Sequence, residues 1–118
     1  MLQKAKSSYK NWFALYNNFP KSHRYTLGAK VEDSFLTLLE HIFFALYLPI
    51  EKKITRLEYA IAKLDGLKFF LQISFENKCI SEKQYVEISK ELDEVGRMLG
   101  GWKKGLETKI SQQKTPAQ

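Results

Sequence analysis

The sequence predicts an all-α protein, an up-down antiparallel four-helix bundle. Apolar residues recur at alternating steps of three and four in four separate stretches, which is the spacing of one buried helix face. Three short connections that contain proline or polar residues join these stretches. No strand-length stretch alternates with a period of two, so we expect no sheet.

The first helix is predicted at about 3–17, and the second at about 22–47. Pro20 separates them, because proline disfavours helical geometry in the residue before it, and Ser22 is the expected N-cap of the second helix. The inner stripe of the first helix is Leu2, Ala5, Tyr9, Trp12, Tyr16 and Phe19. That of the second helix is Leu27, Val31, Phe35, Leu38, Ile42 and Ala45.

The second helix carries more apolar surface than one bundle covers. Its second apolar stripe is Leu36, Leu39, Phe43, Leu46 and Tyr47. A helix that is apolar nearly all round must be covered nearly all round. We therefore expect this protein to form a homo-oligomer.

The third helix is predicted at about 49–77, where Pro49 suits the first turn because its missing N–H is not needed there. The fourth is predicted at about 81–110 and begins with a capping box of Ser81 and Gln84. Its apolar repeat contains Gly96, Gly100, Gly101 and Gly105. These glycines weaken a helix, so we expect compensation such as the close approach of another helix. Residues 1–110 would form one domain, and 111–118 a disordered tail.

The composition fits a single globular domain. The chain has 118 residues, of which 44% are hydrophobic and 27% charged. No apolar run approaches the ~18 residues that span a bilayer, and the N-terminus lacks the apolar core of a secretion signal. We predict a cytoplasmic protein that does not enter the membrane.

The residues that catalysis requires do not form any known pattern. Cys79 is the single cysteine, which excludes an intrachain disulfide and favours a packing role. His41 directly follows Glu40, so the Glu-x-x-His spacing of bundle metal sites does not occur there. No glycine-rich phosphate-binding motif occurs. We predict no enzymatic activity, no metal and no cofactor.

The net charge of +6 lies in the first quarter of the chain. Residues 1–30 carry six basic residues and no acidic one, and the other 88 residues balance. A second basic segment spans 95–118, and in an up-down bundle the first and last helices are neighbours. The two segments would then form one positive surface for a polyanion, although a solvated, solubilising face is the alternative.

The candidate nucleic-acid contacts are exposed cations outside the apolar stripes. From the two basic segments and from the start of the third helix, they are Lys4, Lys6, Lys10, Lys21, Arg24, Lys30, Lys52, Lys53, Arg56, Arg97, Lys103 and Lys104.

Two blocks of the sequence resemble a known family. Phe19-Pro20-Lys21-Ser22-His23-Arg24-Tyr25-Thr26-Leu27-Gly28 and Gly96-Arg97-Met98-Leu99-Gly100-Gly101-Trp102 are similar to motifs of the accessory variability determinant (Avd) proteins of diversity-generating retroelements. The resemblance covers about residues 9 to 110. It implies a four-helix bundle that assembles as a pentamer, binds RNA or an RNA/DNA hybrid, and associates with a reverse transcriptase during mutagenic cDNA synthesis.

The resemblance also gives expectations for single residues. Gly28 would allow another helix to approach, and Trp102 would lie in the core. Arg24 would bind phosphate or pair with a carboxylate such as Glu32 or Asp33. The alternative function is a protein-interaction scaffold that resembles the bundles encoded in intervening sequences of ribosomal RNA genes, without a reverse transcriptase partner.

Overall fold

The computed structural model describes residues 1–114, which fold into four helices without a β-strand. Helix α1 is Leu2–Tyr16. Helix α2 has three consecutive segments: an α-helical turn at Lys21–His23, a π-helical turn at Arg24–Gly28 and an α-helix at Ala29–Ala45. Helix α3 is Ile50–Glu76, and α4 is Glu82–Lys114. The predicted all-α four-helix class is confirmed.

The four helices pack as a ring in chain order. Helix α2 packs against α3, α3 against α4, and α1 against both α2 and α4. The principal extents of the bundle are 63 × 22 × 20 Å. Helix α1 has 15 residues and α4 has 33, so α1 accompanies only part of its neighbour. The expected contact between the first and last helices is present.

The core forms where the predicted inner stripes face one another. Trp12 is fully buried, stacks on Phe35 at a ring-centroid distance of 6.2 Å and meets Phe19 edge-on at 5.7 Å. Burial of a large apolar side chain contributes about 1.5–3 kcal/mol, so such rows dominate the stability of the bundle. Trp102 was predicted to lie in the core but is only half-buried at its edge.

The junction of α1 and α2 depends on close contacts around the π-helical turn. The Tyr16 hydroxyl donates a hydrogen bond to the Arg24 carbonyl oxygen at 3.1 Å, and its ring packs against buried Gly28. The expectation that Gly28 allows another helix to approach is thus confirmed. The expected N-cap at Ser22 is wrong: the helix begins at Lys21 after Pro20, and the Ser22 hydroxyl lies 3.0 Å from Nδ1 of His23.

Helix α3 ends in a Schellman motif. The N–H of Cys79 donates to the carbonyl of Ser74 at 2.8 Å, and the N–H of Lys78 donates to that of Phe75 at 2.9 Å. Lys78 adopts a left-handed conformation with φ of 60°. Cys79 itself is buried, as the predicted packing role requires, and burial raises the pKa of its thiol.

Helix α4 begins with the predicted capping box. The Gln84 N–H donates to the Ser81 hydroxyl oxygen at 3.1 Å, and the Ser81 N–H donates to Oε1 of Gln84 at 2.9 Å. The helix continues to Lys114, so the prediction of a disordered tail from 111 onward is wrong for 111–114. The rest of the predicted tail, 115–118, lies outside the described residues.

The glycines of α4 divide into two kinds. A Cβ at Gly96 would lie 3.2 Å from Cδ2 of Leu64, so this position faces α3 closely. A Cβ at Gly100, Gly101 or Gly105 would have no heavy atom within 4 Å beyond its own helix backbone. The expected close approach therefore occurs at Gly96 alone among these four positions in the described protomer.

Candidate nucleic-acid interface

At one end of the bundle, the start of α3 lies beside the part of α4 that carries Lys103 and Lys104. The side chain of Lys53, in the first turn of α3, reaches α2, and its Nζ also lies 5.8 Å from the centroid of the Trp102 ring on α4. Lys103 and Lys104 follow Trp102 directly. We call this region the basic end, comprising Lys52, Lys53, Arg56, Lys103 and Lys104.

The side chain of Lys53 also caps the C-terminus of α2. Its Nζ donates to the carbonyl oxygens of Ala45 at 2.8 Å and Leu46 at 2.9 Å. The last carbonyls of a helix have no partner within the helix and carry partial negative charge, so a cation stabilises them. The predicted phosphate contact at Lys53 thus has a structural role in the protomer, whereas neighbouring Lys52 is exposed and has no ion pair within residues 1–114.

Arg56 lies among aromatic rings between α2 and α3. Its Nη1 is 3.2 Å from Nδ1 of His41, and its guanidinium carbon lies 5.4 Å from the centroid of the Phe44 ring. The His41 ring stacks on that of Tyr59, with centroids 5.8 Å apart and planes inclined by 29°. Arginine over an aromatic ring gains cation–π attraction, and the contact fixes the direction of its guanidinium group.

Burial lowers the pKa of His41, and the positive charges of Arg56 and Lys63 lower it further, while Glu40 acts in the opposite direction. A neutral imidazole can accept a hydrogen bond from Arg56 through Nδ1. We therefore assign this contact as Arg56 donating to a neutral His41.

Several cations of α3 lie in a row beside its interface with α2. Lys52, Arg56, Tyr59 and Lys63 are spaced by four, three and four residues, which places them on one side of α3. We call the group the α2–α3 seam; its members are His41, Phe44, Lys52, Arg56, Tyr59 and Lys63. The sequence predictions omitted Lys63 and the three aromatic rings, although the 4-3-4 spacing beside Lys52 and Arg56 would have indicated Tyr59 and Lys63.

The remaining predicted cations of α4 differ in their partners. Lys103 contacts Glu107 one turn later, with Nζ and Oε2 3.4 Å apart. The side chains of Lys104 and Arg97 are exposed and make no hydrogen bond or ion pair within the part of the chain that the structure describes. Lys104 is therefore available to a ligand at the basic end, and Arg97 is available about two helical turns before it.

The cations of residues 1–30 do not form one surface. Lys4 pairs with Glu94 of α4 at 3.1 Å, and the Asn11 side-chain amide donates to Oε1 of Glu91 at 2.7 Å. Helix α1 thus meets an acidic part of α4, and its contact with α4 does not join the two basic segments. The exposed cations of this region without an ion pair within residues 1–114 are Lys6, Lys10, Lys21 and Lys30.

Arg24 has a role that neither expectation described. Its Nη2 donates to the carbonyl oxygens of Phe19 at 3.2 Å and Asn17 at 3.4 Å, and its guanidinium lies over the Tyr16 ring at 5.8 Å. Glu32 instead accepts a hydrogen bond from the Tyr9 hydroxyl at 3.2 Å. Arg24 therefore holds the chain segment that follows α1. It also lies near the N-terminus of α2, at the opposite end of that helix from the basic end.

Two kinds of feature are absent from residues 1–114. No group of three or more His, Cys, Asp or Glu side chains is arranged to hold a metal ion there. None of the helices in that part of the chain is both long enough and apolar enough to cross a membrane.

These features define the protein as an all-α bundle with exposed cations and aromatic rings at one end. A family model described as bAvd-like matches residues 1–106. The chain therefore belongs to the bAvd-like family, which confirms the resemblance to the Avd proteins. No curated protein matches the chain.

Proposed function

We propose that this protein is a non-catalytic, nucleic-acid-binding accessory subunit that associates with a reverse transcriptase and supports mutagenic cDNA synthesis in a diversity-generating retroelement. The observation that carries the proposal is the basic end, where Lys53 of α3 lies over the ring of Trp102, the residue before Lys103 and Lys104 on α4, in a member of the bAvd-like family. RNA or an RNA/DNA hybrid is the expected ligand.

Binding of this kind depends on salt. Lysine and arginine side chains that neutralise phosphates release the counterions condensed on the strand. For a single strand, the logarithm of the association constant falls with the logarithm of the salt concentration, with a slope of about −0.7 per neutralised phosphate. Lys52 and Lys104 would contribute to this slope, because both are exposed and neither has an ion pair within residues 1–114.

The experiment is a titration of RNA and of single-stranded DNA at several salt concentrations. The variant carrying Lys103→Glu and Lys104→Glu should bind more weakly and with a shallower salt slope, while its helicity by circular dichroism stays unchanged. The matched control carries Lys83→Glu and Lys90→Glu, two exposed lysines in the first half of the same helix. The proposal would be rejected if the affinity of the wild-type protein did not depend on salt concentration, or if the protein did not bind at low salt.

Self-association is part of the proposal. Leu36, Phe43, Leu46 and Tyr47, four of the five residues in the second stripe of α2, are exposed, and Tyr47 retains 74% of its accessible surface. Contiguous exposed apolar surface of this kind is typical of protein interfaces. We propose that copies of the chain cover it, with the pentamer of the Avd proteins as the expected size.

Light scattering tests this assembly directly. The wild-type protein should show a mass several times that of the 13.8 kDa chain, and Phe43→Glu should reduce it. A monomeric wild-type protein would reject the oligomer. Association with a reverse transcriptase is tested by co-purification of the two proteins, with Phe43→Glu showing whether the complex requires the assembled form.

A further inference from the structure

We propose that the α2–α3 seam binds an unpaired segment of single-stranded nucleic acid, with a base stacked on the Tyr59 ring and neighbouring phosphates at Lys52, Arg56 and Lys63. This inference rests on the proposed nucleic-acid function. It goes beyond that function in two respects: the seam prefers single-stranded nucleic acid, and Tyr59 is the residue that provides this preference.

The exposed ring of Tyr59 supplies the stacking surface. Tyr59 retains 58% of its accessible surface, while stacking on His41 limits where its ring can move. Stacking on an aromatic side chain requires a base with a free face, which an unpaired base offers and a base inside a duplex does not. The seam should therefore favour single strands over duplexes.

The cations of the seam lie in a row along the axis of α3, where they can contact successive phosphates of a nucleic-acid strand. Lys52 and Lys63 are eleven residues apart on α3, which corresponds to about 16 Å along the helix axis, and Arg56 lies between them. None of the three has an ion pair within residues 1–114. The contact with neutral His41 holds Arg56 in place without cancelling its charge.

A shallow hollow beside Tyr59 is lined by the kinds of side chain expected in a site that binds a nucleic-acid base. It has a volume of about 410 Å³ and is lined by Leu48, Glu51, Lys52, Thr55, Arg56 and Tyr59. The Glu51 carboxylate would repel a phosphate inside the hollow, but it can accept a hydrogen bond from the exocyclic amino group of a base. The phosphates would remain outside the hollow, at the cations of the seam, and the edge of the base would enter the hollow.

The test compares two substitutions that remove one exposed ring each from α3 and change no charge. Tyr59→Leu removes the ring of the seam. Phe69→Leu is the matched control, because Phe69 has a similar exposure of 56% on another side of the same helix. The probe is a single strand with a fluorescent purine analogue whose emission falls on stacking; the same sequence in a duplex is the comparison.

Tyr59→Leu should weaken single-strand binding roughly five- to 150-fold and abolish the fall in emission. Its duplex affinity should stay close to that of the wild-type protein, as should both affinities of Phe69→Leu. Phe44→Leu provides a second test at the ring beneath Arg56 and should weaken single-strand binding in the same direction. Circular dichroism confirms that each variant folds.

Two results would count against the inference in different ways. If Tyr59→Leu matches Phe69→Leu while salt-sensitive binding persists, the stacking site is wrong and the proposed function stands. If the wild-type protein binds neither the strand nor the duplex at low salt, the proposed function fails and the inference fails with it.

Discussion

The ring of Tyr16 occupies the space that a side chain at position 28 would require. An ideal Cβ built on Gly28 lies 2.9 Å from Cε2 of Tyr16, closer than non-bonded carbons approach. The ring has little freedom to move away, because its hydroxyl donates to the Arg24 carbonyl and Arg24 lies over its face. The glycine therefore sets how closely α1 and the π-helical turn of α2 can pack.

Gly28→Ala should lower the free energy of unfolding by about 1–3 kcal/mol, the usual cost of overpacking a tight contact. Chemical denaturation measures the change. Gly66→Ala is the contrasting variant, since a Cβ there would meet no heavy atom within 4 Å beyond its own helix backbone. It should stabilise the protein by about 0.5–1 kcal/mol through helix propensity. Equal effects of the two substitutions would contradict the packing account.

Lys78→Gly should stabilise the protein by up to about 1 kcal/mol. The φ of 60° at Lys78 is costly for any residue with a Cβ and is readily adopted by glycine. Thermal unfolding measures the gain. Lys90→Gly replaces an exposed lysine inside α4 and should instead cost about 1 kcal/mol, so a loss of stability at both positions would be evidence against the strained conformation at Lys78.

Lys53 and Lys52 are adjacent but should respond differently to the same substitution. Lys53→Met removes two charge-assisted hydrogen bonds to the end of α2 and should lower the free energy of unfolding by about 1–2 kcal/mol. Lys52→Met should change it by less than about 0.5 kcal/mol, because this side chain has no ion pair within residues 1–114.

Denaturant titration and strand binding, measured on both variants, separate the two roles. Lys52→Met should retain stability and bind single strands more weakly. A stable Lys53→Met protein would show that the carbonyl contacts contribute little.

His41 should make stability depend on pH below neutrality. Its pKa lies below the ordinary value of about 6.5, mainly because of burial, with further contributions from Arg56 and Lys63. As pH falls below about 6.5, the unfolded chain takes up a proton at this residue more readily than the folded one. The free energy of unfolding therefore decreases as pH falls through the lowered pKa, and His41 contributes no pH dependence well above 6.5.

The measurement is denaturation of the wild-type protein and of His41→Gln across this pH range. Because all other ionisable groups are shared, the difference in slope isolates His41. The variant should lose less stability on acidification, and parallel curves would contradict the prediction.

Hydrophobic spacing predicted the helices well, because each inner stripe has a partner stripe to cover it. The buried side chains of α2, such as Val31, Phe35 and Leu38, are members of its predicted stripe. The spacing of apolar residues predicts too early an end for α4 because 111–114 are polar, and the exposed residues 111–113 continue the helix without an apolar side chain. The π-helical turn was not predicted, since one extra residue per turn shifts a stripe too little to be recognised by spacing alone.

The candidate site was less predictable because sequence gives the charge of a lysine but not its partner. The sequence predicts that Lys4, Arg24 and Lys53 are exposed cations like Lys52 and Lys104. The fold instead gives the first three a carboxylate or backbone carbonyls as partners. Likewise, the acidic residues that face α1 follow from the register of α4 beside α1, which the spacing of apolar residues alone did not fix.

The buried thiol of Cys79 makes this chain convenient for site-specific labelling. Because burial raises its pKa, little reactive thiolate forms near neutral pH. A cysteine introduced at an exposed position, such as Ser7, would then react with maleimide dyes far faster than the native one. Donor and acceptor fluorophores attached there could report distances between copies of the chain without first removing the natural cysteine.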